Sequence, residues 1–310
     1  MFFSVIITTY NRAEVLKEAL ESYFKQSIAD VDYEVIVVDD GSTDETAQVV
    51  KAFQRKHKNL HYWHQENQGQ GVARNKGISK AKGEVVVFGQ DDIIPTNDFL
   101  YEHQKFHYLY PEENSAVLGF TAWHPSLNIT PFMQWLVNGS SVLGKFGGHQ
   151  FAYEKLQGKL LANYQFFYTS NLSLKLSLLK KYHFDPIFSG YGWEDIELGY
   201  RLEKEAGMKL YYNSWAVAYH HHEMDEKSMK PRMEAIGASA WLFNRKYPEL
   251  KKVPGAMKWM TLKMISCAPL IWLMSKIKKN SRDKICNFYY YIVSKKYFLK
   301  GLAKGKKKYA

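Results

Sequence analysis

Four short segments of strand-like composition recur along the first ninety residues, and segments of mixed polarity with helical character separate them. The four segments span residues 2–8, 33–38, 60–65 and 84–88. Residues 85–88 include no alternating polar residue, which is typical of a strand buried on both faces in a parallel sheet. The order β-α-β-α-β-α-β predicts an α/β fold with a doubly wound, mostly parallel sheet and right-handed crossovers.

Local capping patterns predict where the first two helices begin. Asn11 with Glu14, and Ser42 with Glu45, have the spacing of a capping box, in which the two side chains bond reciprocally to backbone amides. The helices that follow these caps are predicted to end near residues 25 and 56.

The remaining elements follow from the same kinds of pattern. They are a helix from about residue 70, a helix at 97–107, a strand at 116–120, a strand at 166–174 with a helix to 182, a helix opening at 194, strands at 209–212 and 216–219, and a helix at 226–246. Residues 123–165 are aromatic and glycine-rich, with Gly144, Gly147 and Gly148 near the middle. This composition predicts a long, mobile insertion over the site.

Polar residues follow three of the predicted strands, at residues 8–10, 39–40 and 91–92. Parallel strands place their carboxyl ends at one edge of the sheet, where open α/β sheets bind ligands. Asp91 and Asp92 repel each other unless a positive group neutralises them. A divalent cation, Mn²⁺ or Mg²⁺, together with a substrate diphosphate is the simplest such group. An ordinary acidic turn is the alternative for this pair.

Charge and composition narrow the classes of partner. The net charge of +11 suits nucleic acid, an anionic membrane or a phosphorylated substrate. The dense basic runs lie in the last third, and the first two hundred residues gather no basic recognition helix, so no nucleic-acid partner is predicted. Cys267 and Cys286 lack metal-ligand spacing. The amino terminus runs directly into a strand, so we expect no signal peptide.

Residues 257–274 are mostly apolar, but Lys258 and Lys263 interrupt them and Pro269 bends them. A membrane-spanning helix needs about 20 predominantly apolar residues. An amphipathic helix in the plane of an anionic membrane surface therefore fits better. We predict that residues 251–310 form a basic, helical, membrane-associating extension, and that the protein is cytoplasmic and peripheral at the inner face of the cell membrane. A helix that docks a partner subunit is the alternative.

Several motifs at ordered spacings resemble the inverting family 2 glycosyltransferases of GT-A fold, over roughly residues 3–222. They are Ser4-Val5-Ile6-Ile7-Thr8-Thr9-Tyr10-Asn11-Arg12, Val37-Val38-Asp39-Asp40-Gly41-Ser42-Thr43-Asp44 and Gly71-Val72-Ala73-Arg74-Asn75-Lys76-Gly77. A further segment, Gly192-Trp193-Glu194-Asp195-Ile196-Glu197-Leu198, is similar to a motif of members and relatives that transfer galactose or N-acetylgalactosamine. The resemblance implies a UDP-sugar donor and a divalent cation.

The resemblance also assigns roles to single residues. Thr8, Tyr10 and Arg12 would line the nucleotide pocket, Asp40 would accept a hydrogen bond from the uracil ring, Arg74 would neutralise the diphosphate, Asp91 and Asp92 would contact the ribose and the metal, and His220 would be a further metal ligand. The family usually has Asp-x-Asp at the acidic pair. This chain has Gly89-Gln90-Asp91, so the first acidic position is missing.

Glycosyl transfer also needs a general base on the sugar face opposite the leaving diphosphate. Asp195 is the predicted base, with Glu194 as an acceptor-binding neighbour or the true base. A carboxylate in the first turn of a helix is kept ionised by the helix dipole, which favours orientation over basicity. Trp193 is predicted to stack on the acceptor sugar, and packing in the core is the alternative.

The predicted function is therefore transfer of a hexose or N-acetylhexosamine from a UDP-sugar to a saccharide, or to a lipid-linked saccharide, in surface polysaccharide or glycoconjugate assembly. Residues 1–250 are the predicted GT-A domain, with a nucleotide-sugar-binding half at 1–120 and an acceptor-binding half at 121–250. A nucleotidyltransferase is one alternative, but it predicts a glycine-rich phosphate loop after the first strand, which this chain lacks. A non-catalytic, basic membrane- or nucleic-acid-binding module is the other.

Overall fold

The structure is a computed structural model, and it describes residues 1–138, 151–278 and 283–309. The chain divides into two compact units. The first comprises Met1–Leu127, Lys155–Ser189 and Glu194–His222, and the second comprises Asn128–Glu154, Gly190–Trp193 and Glu223–Ala310. Gly144, Gly147 and Gly148, near the centre of the predicted mobile insertion, lie outside the described residues.

One mixed sheet forms the first unit. Its strands, within the described residues, are β1 (Phe3–Thr9), β2 (Tyr33–Asp39), β3 (Leu60–His64), β4 (Val85–Gln90), β5 (Ile93–Pro95), β6 (Ser115–Trp123), β7 (Leu161–Ala162), β8 (Leu172–Lys175) and β9 (Lys209–His220). The strand order is β3-β2-β1-β4-β8-β6-β9-β5, and β7 also pairs with β9.

Helices follow most of these strands. In chain order they are α1 (Ala13–Tyr23), α2 (Thr46–Gln54), α3 (Gln70–Lys80), α4 (Phe99–Leu109), α5 (Pro131–Asn138), α6 (Leu176–Lys181), α7 (Glu194–Ala206), α8 (Glu226–Lys246), α9 (Ala256–Ile265), α10 (Ala268–Ile277) and α11 (Asp283–Tyr309). The helices α5 and α8 to α11 belong to the second unit.

The parallel half of the sheet confirms the predicted β-α-β order. Strands β1, β2 and β4 are almost wholly buried, and β1 pairs in parallel with β2 on one side and with β4 on the other. The register places Thr9 opposite Asp39, and Thr8 opposite Gln90. The carboxyl ends of these strands therefore lie at one edge, and the polar residues that follow them are neighbours.

The other half corrects the prediction of a mostly parallel sheet. Strand β8 pairs antiparallel with β4 and β6, and β5 and β7 pair antiparallel with β9. The two short strands predicted at 209–212 and 216–219 are one strand, β9. Its register on β6 shifts after Gly119, which lies opposite Asn213, to Phe120, which lies opposite Val217. The residues between Asn213 and Val217 form a bulge in β9. This bulge interrupts the strand pattern, which is why the sequence predicted two strands.

Tertiary contacts replace the two predicted capping boxes. Helix α1 begins without a side-chain cap from its own turn, and Ala13 N donates instead to Asp44 Oδ2 at 3.0 Å. The other oxygen, Asp44 Oδ1, accepts from Thr46 N at 3.1 Å and so holds the start of α2. Asn11 is left-handed (φ +52°), and its Oδ1 accepts from Thr43 N. The capping-box prediction is wrong because the loops after β1 and β2 bond to each other.

In the second unit, α8 has the predicted bounds and packs closely on α11. A β-carbon at Gly237 would lie 2.3 Å from Phe298 O, and one at Gly301 would lie 2.2 Å from Glu234 O, so the two backbones touch. Glu234 accepts a hydrogen bond from Lys304. The lysine-rich carboxyl terminus therefore lies along α8, and this compact unit takes in residues on both sides of the predicted domain boundary at 250.

The predicted bent apolar segment consists of α9 and α10, with Pro269 in the first turn of α10. Among the described helices, none is by itself both long and apolar enough to cross a bilayer. Taken together, α9 and α10 have the length and composition of a broken span, bent by 47°.

Candidate active site

The acidic pair Asp91–Asp92 follows β4 and is almost fully buried, each residue being 4% exposed. Arg12 donates from Nη1 to Asp91 Oδ1 at 2.8 Å and from Nη2 to Asp92 Oδ2 at 2.9 Å. His220 Nε2 lies 3.4 Å from Asp92 Oδ2. The antiparallel pairing of β5 with the end of β9 brings His220 there, because Ile93 is its register partner. The structure thus brings four predicted site residues together.

The pKa values of the two carboxyls are shifted in opposite directions. Burial and the neighbouring charge of Asp92 raise the pKa of Asp91 to about 7, against the opposing effect of Arg12. Burial also disfavours ionisation of Asp92, but His220 and Arg12 outweigh it and lower the pKa of that carboxyl below its ordinary value. Asp92 is therefore the better anionic ligand of the two.

The residues around Asp92 fit a divalent cation that shares its coordination with a substrate. Asp92 Oδ1 is buried and accepts no hydrogen bond from any described residue. Within the described ranges, no group of three or more His, Cys, Asp and Glu side chains forms a metal cage. Mg²⁺-type sites commonly use one or two carboxylates plus phosphate oxygens. Asp92, with Asp91 and His220 beside it, could supply the protein ligands of such a site, and phosphate oxygens of the substrate would supply the others.

Packing explains the missing first acidic residue. A β-carbon at Gly89 would lie 2.2 Å from the Oη atom of Tyr23, a fully buried side chain on α1. An aspartate at position 89 would therefore collide with Tyr23. Burial, with the nearby charge of Asp92, raises the pKa of Tyr23, so its phenol stays neutral.

Asp40 is buried and holds the loop before α3. Its Oδ1 accepts from Gln65 Nε2 at 2.8 Å and from Gln68 N at 3.0 Å, and its Oδ2 accepts from Gly69 N at 2.8 Å. A carboxylate offers about four acceptor positions, so one is left for the predicted contact with a uracil ring. Thr8 is buried nearby on β1, whereas Tyr10 is 48% exposed.

A second charged cluster joins α3 to α7. Arg74 is buried, with Nη1 3.3 Å from Glu194 Oε1 and Nη2 3.1 Å from Gln70 Oε1. Gly71 packs tightly on Phe184, because a β-carbon there would lie 3.3 Å from Phe184 Cβ. The predicted partner of Arg74 was a diphosphate. No sequence pattern predicted the Arg74–Glu194 pair, which joins residues 120 positions apart.

Asp195 differs from its neighbour. Glu194 is buried against Arg74, whereas Asp195 is half-buried and accepts from Ile196 N at 2.8 Å. Burial and the charge of Glu194 raise the pKa of Asp195 to about 7, although Arg74 opposes them. The helix dipole was expected to favour orientation over basicity. The structure adds basicity, because desolvation and the adjacent carboxylate outweigh the favourable charges.

Trp193 belongs to the second unit and packs there. Its ring centroid lies 4.8 Å from that of Phe243, beside a core cluster that includes Ala240 and Leu262. Its backbone is left-handed (φ +76°), as is that of Gly192. These contacts favour the core-packing alternative over the predicted sugar stack. The exposed aromatic residue of this segment is Tyr191, at 46% exposure, which the sequence did not distinguish.

The three consecutive histidines have separate environments. The His221 side chain bonds through Nδ1 to Glu18 Oε2 at 2.5 Å and lies 3.2 Å from Ser126 Oγ, while its backbone N donates to Asp92 O at 2.8 Å. His222 is exposed, with its ring 6.1 Å from that of His220. His220 lies within ion-pair distance of Asp92, and the charge of His222 also helps to lower the pKa of Asp92.

The sheet topology and the acidic edge are those of an α/β protein with a ligand site beyond the carboxyl ends of its parallel strands. In particular, residues 4–134 match the family model described as Glycosyl transferase family 2. Validoxylamine A glucosyltransferase of Streptomyces hygroscopicus subsp. jinggangensis is 30% identical over 268 residues, which cover 80% of this chain and 61% of that protein. The chain thus spans about three fifths of this relative.

Solved structures show the same fold. The mannosyltransferase PcManGT of Pyrobaculum calidifontis, in complex with GDP-Man and Mn²⁺, superposes with a TM-score of 0.62 at 16% identity, over 99% of this chain and 88% of that one. S. aureus TarS 1–349 with UDP-GlcNAc superposes with a TM-score of 0.52 at 19% identity, over 93% of this chain and 90% of that one. The family match favours glycosyl transfer over the nucleotidyltransferase and binding-module alternatives.

Proposed function

We propose that the protein transfers a hexose or N-acetylhexosamine from a UDP-sugar, with inversion, to a saccharide or lipid-linked saccharide in surface polysaccharide or glycoconjugate assembly. One observation carries the proposal. Gly69, the N-cap residue of α3, donates from its backbone N to Asp40, and the same helix carries Arg74, which pairs with Glu194 beside Asp195. A predicted nucleotide-binding residue and the predicted base are therefore tied to one short helix.

The acidic pair serves the leaving diphosphate. Asp92, with His220 and Asp91 beside it, would hold a divalent cation, and that cation would offset the charge that builds on the departing UDP. The chain itself keeps the Asp92 carboxylate ionised and buried, so its orientation is fixed before substrate arrives. Tyr10, exposed at the end of β1, is placed to contact the nucleotide base.

Asp195 serves the acceptor. In the proposed step, an Asp195 carboxylate oxygen takes the proton of the acceptor hydroxyl as that oxygen bonds to the anomeric carbon, and the bond from this carbon to the UDP oxygen breaks. A pKa of about 7 suits this task, because a base works best when its pKa lies near the operating pH. Glu194, buried and bonded to Arg74, is better placed to orient Asp195 than to accept the proton.

Product stereochemistry tests this function. A single displacement assisted by a base inverts the anomeric centre, so α-linked UDP-sugars incubated with Mn²⁺ and saccharide acceptors should give a β-linked product. The ¹H NMR coupling of the new anomeric proton measures this directly. A product that retains the α configuration would contradict the role proposed for Asp195.

We also propose that the second unit binds an anionic membrane surface. Met257, Met260 and Met264 lie at helical spacing on α9 and are 84%, 64% and 71% exposed, and Trp272 on α10 is 64% exposed. Exposed lysines lie among them: Lys258, Lys263 and Lys276. An apolar stripe with lysines beside it is the composition of an interfacial helix. Several of the other lysines are already paired, Lys278 with Glu226 and Lys304 with Glu234.

Vesicle flotation of the full chain tests this surface. Replacing Met260, Met264 and Trp272 by serine should lower binding to vesicles with anionic lipid at least about tenfold, because each buried apolar side chain contributes roughly 1.5–3 kcal/mol. The matched control replaces Val31, Leu109 and Trp215 by serine, residues that are 83%, 61% and 74% exposed in the first unit. Equal flotation of both triple variants and the unaltered chain would contradict the proposal.

A further inference from the structure

Arg12 lies on the two carboxylates that the proposed cation would use. One guanidinium bridges both side chains, with Nη1 2.8 Å from Asp91 Oδ1 and Nη2 2.9 Å from Asp92 Oδ2. The Arg12 side chain is 30% exposed and each aspartate side chain 6%, so the guanidinium covers the solvent side of the pair. A ligand that approaches these carboxylates from solvent meets Arg12 first.

The guanidinium already occupies one of the two oxygens of Asp92. Asp92 Oδ2 is the atom bonded to Arg12 and the atom that lies 3.4 Å from His220 Nε2. The other oxygen of Asp92, Oδ1, is buried without a hydrogen-bond partner among the described residues, so a cation that binds Asp92 shares this carboxylate with the Arg12 guanidinium. Two positive groups on one carboxylate repel each other, so Arg12 and the cation compete for Asp92.

The backbone on both sides of Arg12 is fixed, and its side chain is the part that can move. Asn11 N donates to Ser42 Oγ at 2.8 Å, and Thr43 N donates to Asn11 Oδ1 at 2.7 Å. On the other side, Ala13 N donates to Asp44 Oδ2. These bonds therefore hold the backbone of Arg12 beside the acidic pair, whether or not the guanidinium stays bonded to the two carboxylates.

We propose that Arg12 is an internal counter-ion that competes with the divalent cation for Asp91 and Asp92, and that it transfers to the donor's diphosphate when the cation enters. This inference rests on the cation site of the proposed function. Guanidinium groups bind carboxylate and phosphate with the same forked geometry. The exchange replaces one charged partner of Arg12 by another. The cation then binds weakly to the free protein and more tightly once a nucleoside diphosphate gives Arg12 its second partner.

Manganese binding to the full chain without nucleotide tests the inference, with free Mn²⁺ measured by electron paramagnetic resonance. Arg12→Gln should lower the Kd for Mn²⁺ at least about tenfold, because the competitor is gone. Arg55→Gln is the matched control: it makes the same change in charge at an exposed residue on the C-terminal end of α2, and it should leave the Kd unchanged. With Mn²⁺ saturating, Arg12→Gln should weaken UDP binding about tenfold.

A Kd for Mn²⁺ that is unchanged or higher in Arg12→Gln would overturn the inference and leave Arg12 as a structural clamp. If that variant does not fold, Arg12→Lys replaces it. A single ammonium lacks the fork that bridges both carboxylates, so Mn²⁺ should bind at least about threefold tighter, and an unchanged Kd would overturn the inference.

Asp92→Asn separates this inference from the function on which it rests. If Asp92→Asn abolishes Mn²⁺ binding and Arg12→Gln does not tighten it, the cation site stands and the proposed competition by Arg12 is wrong. If the unaltered chain binds no Mn²⁺ even with UDP, the proposed cation site fails and the inference falls with it.

Discussion

Replacing Asp195 by asparagine is expected to lower kcat about 10²- to 10⁴-fold, the usual contribution of a general base. The amide cannot take the acceptor's proton, while its size and its bond to Ile196 N can persist. Binding of UDP with Mn²⁺ should be unaffected, because that site uses other residues. The measurement is the initial rate of transfer at saturating donor and acceptor.

The pH profile gives a second readout of Asp195. The base acts in its ionised form, and its pKa is raised to about 7 by burial and by Glu194. Activity of the unaltered protein should therefore rise as pH increases through about 7 and level off above it. Glu205→Gln, which changes an exposed carboxylate near the end of the same helix, is the control and should keep full activity. A rate for Asp195→Asn within about twofold of the unaltered protein would rule out Asp195 as base.

Asp92→Asn is expected to abolish the stabilisation that UDP and Mn²⁺ give together. A ligand at about 100 times its Kd adds about 2.7 kcal/mol, which raises the melting temperature of a chain of this size by roughly 5 °C. The variant should gain less than about 1 °C, because its neutral amide no longer supplies the anionic oxygen. Turnover should fall about 100-fold, since charge on the departing diphosphate is left uncompensated.

The control for Asp92 compares shifts within each variant, because loss of the bond to Arg12 changes the melting temperature of the ligand-free protein by itself. Asp98→Asn alters a carboxylate that lies near the acidic pair in sequence, at the start of α4, where its side chain makes no capping hydrogen bond. This variant should retain the full shift. An equal shift for Asp92→Asn and the unaltered chain would remove Asp92 from the cation site.

Much of the parallel half of the fold was predictable from sequence. Runs such as Val85, Val86 and Val87 are apolar on both faces, and only a sheet covered by helices buries both. Parallel strands then place Asp40 and Asp91 at one edge without any further information. The prediction worked there because burial pattern and topology are properties of short segments.

The mixed half was not predictable in the same way. Strand β8 lies between β4 and β6, and its antiparallel pairing depends on partners about 54 to 90 residues away. The caps failed for a related reason, since Asp44 holds the start of α1 from another loop. Local spacing cannot distinguish a capping box from two loops that bond to each other.

The sequence predicted which residues lie at the site better than it predicted which side chains they bond to. Arg12 was expected to face a nucleotide and instead bridges Asp91 and Asp92, and Arg74 was expected to face a diphosphate and instead bonds to Glu194. Both arginines pair with carboxylates far away in sequence. Each arginine pairs with the carboxylates that the fold brings beside it, and partners so far apart in sequence are defined only by the tertiary structure.

The most direct test compares UDP–Mn²⁺ binding and sugar transfer in both variants, Asp92→Asn and Asp195→Asn, on the same preparations. If Asp92 serves the leaving diphosphate and Asp195 is the base, Asp92→Asn loses the cation-dependent binding of UDP. Asp195→Asn then keeps that binding and loses sugar transfer. The opposite pattern, or an equal loss of binding in both variants, would contradict a leaving-group site at Asp92 and a separate base at Asp195.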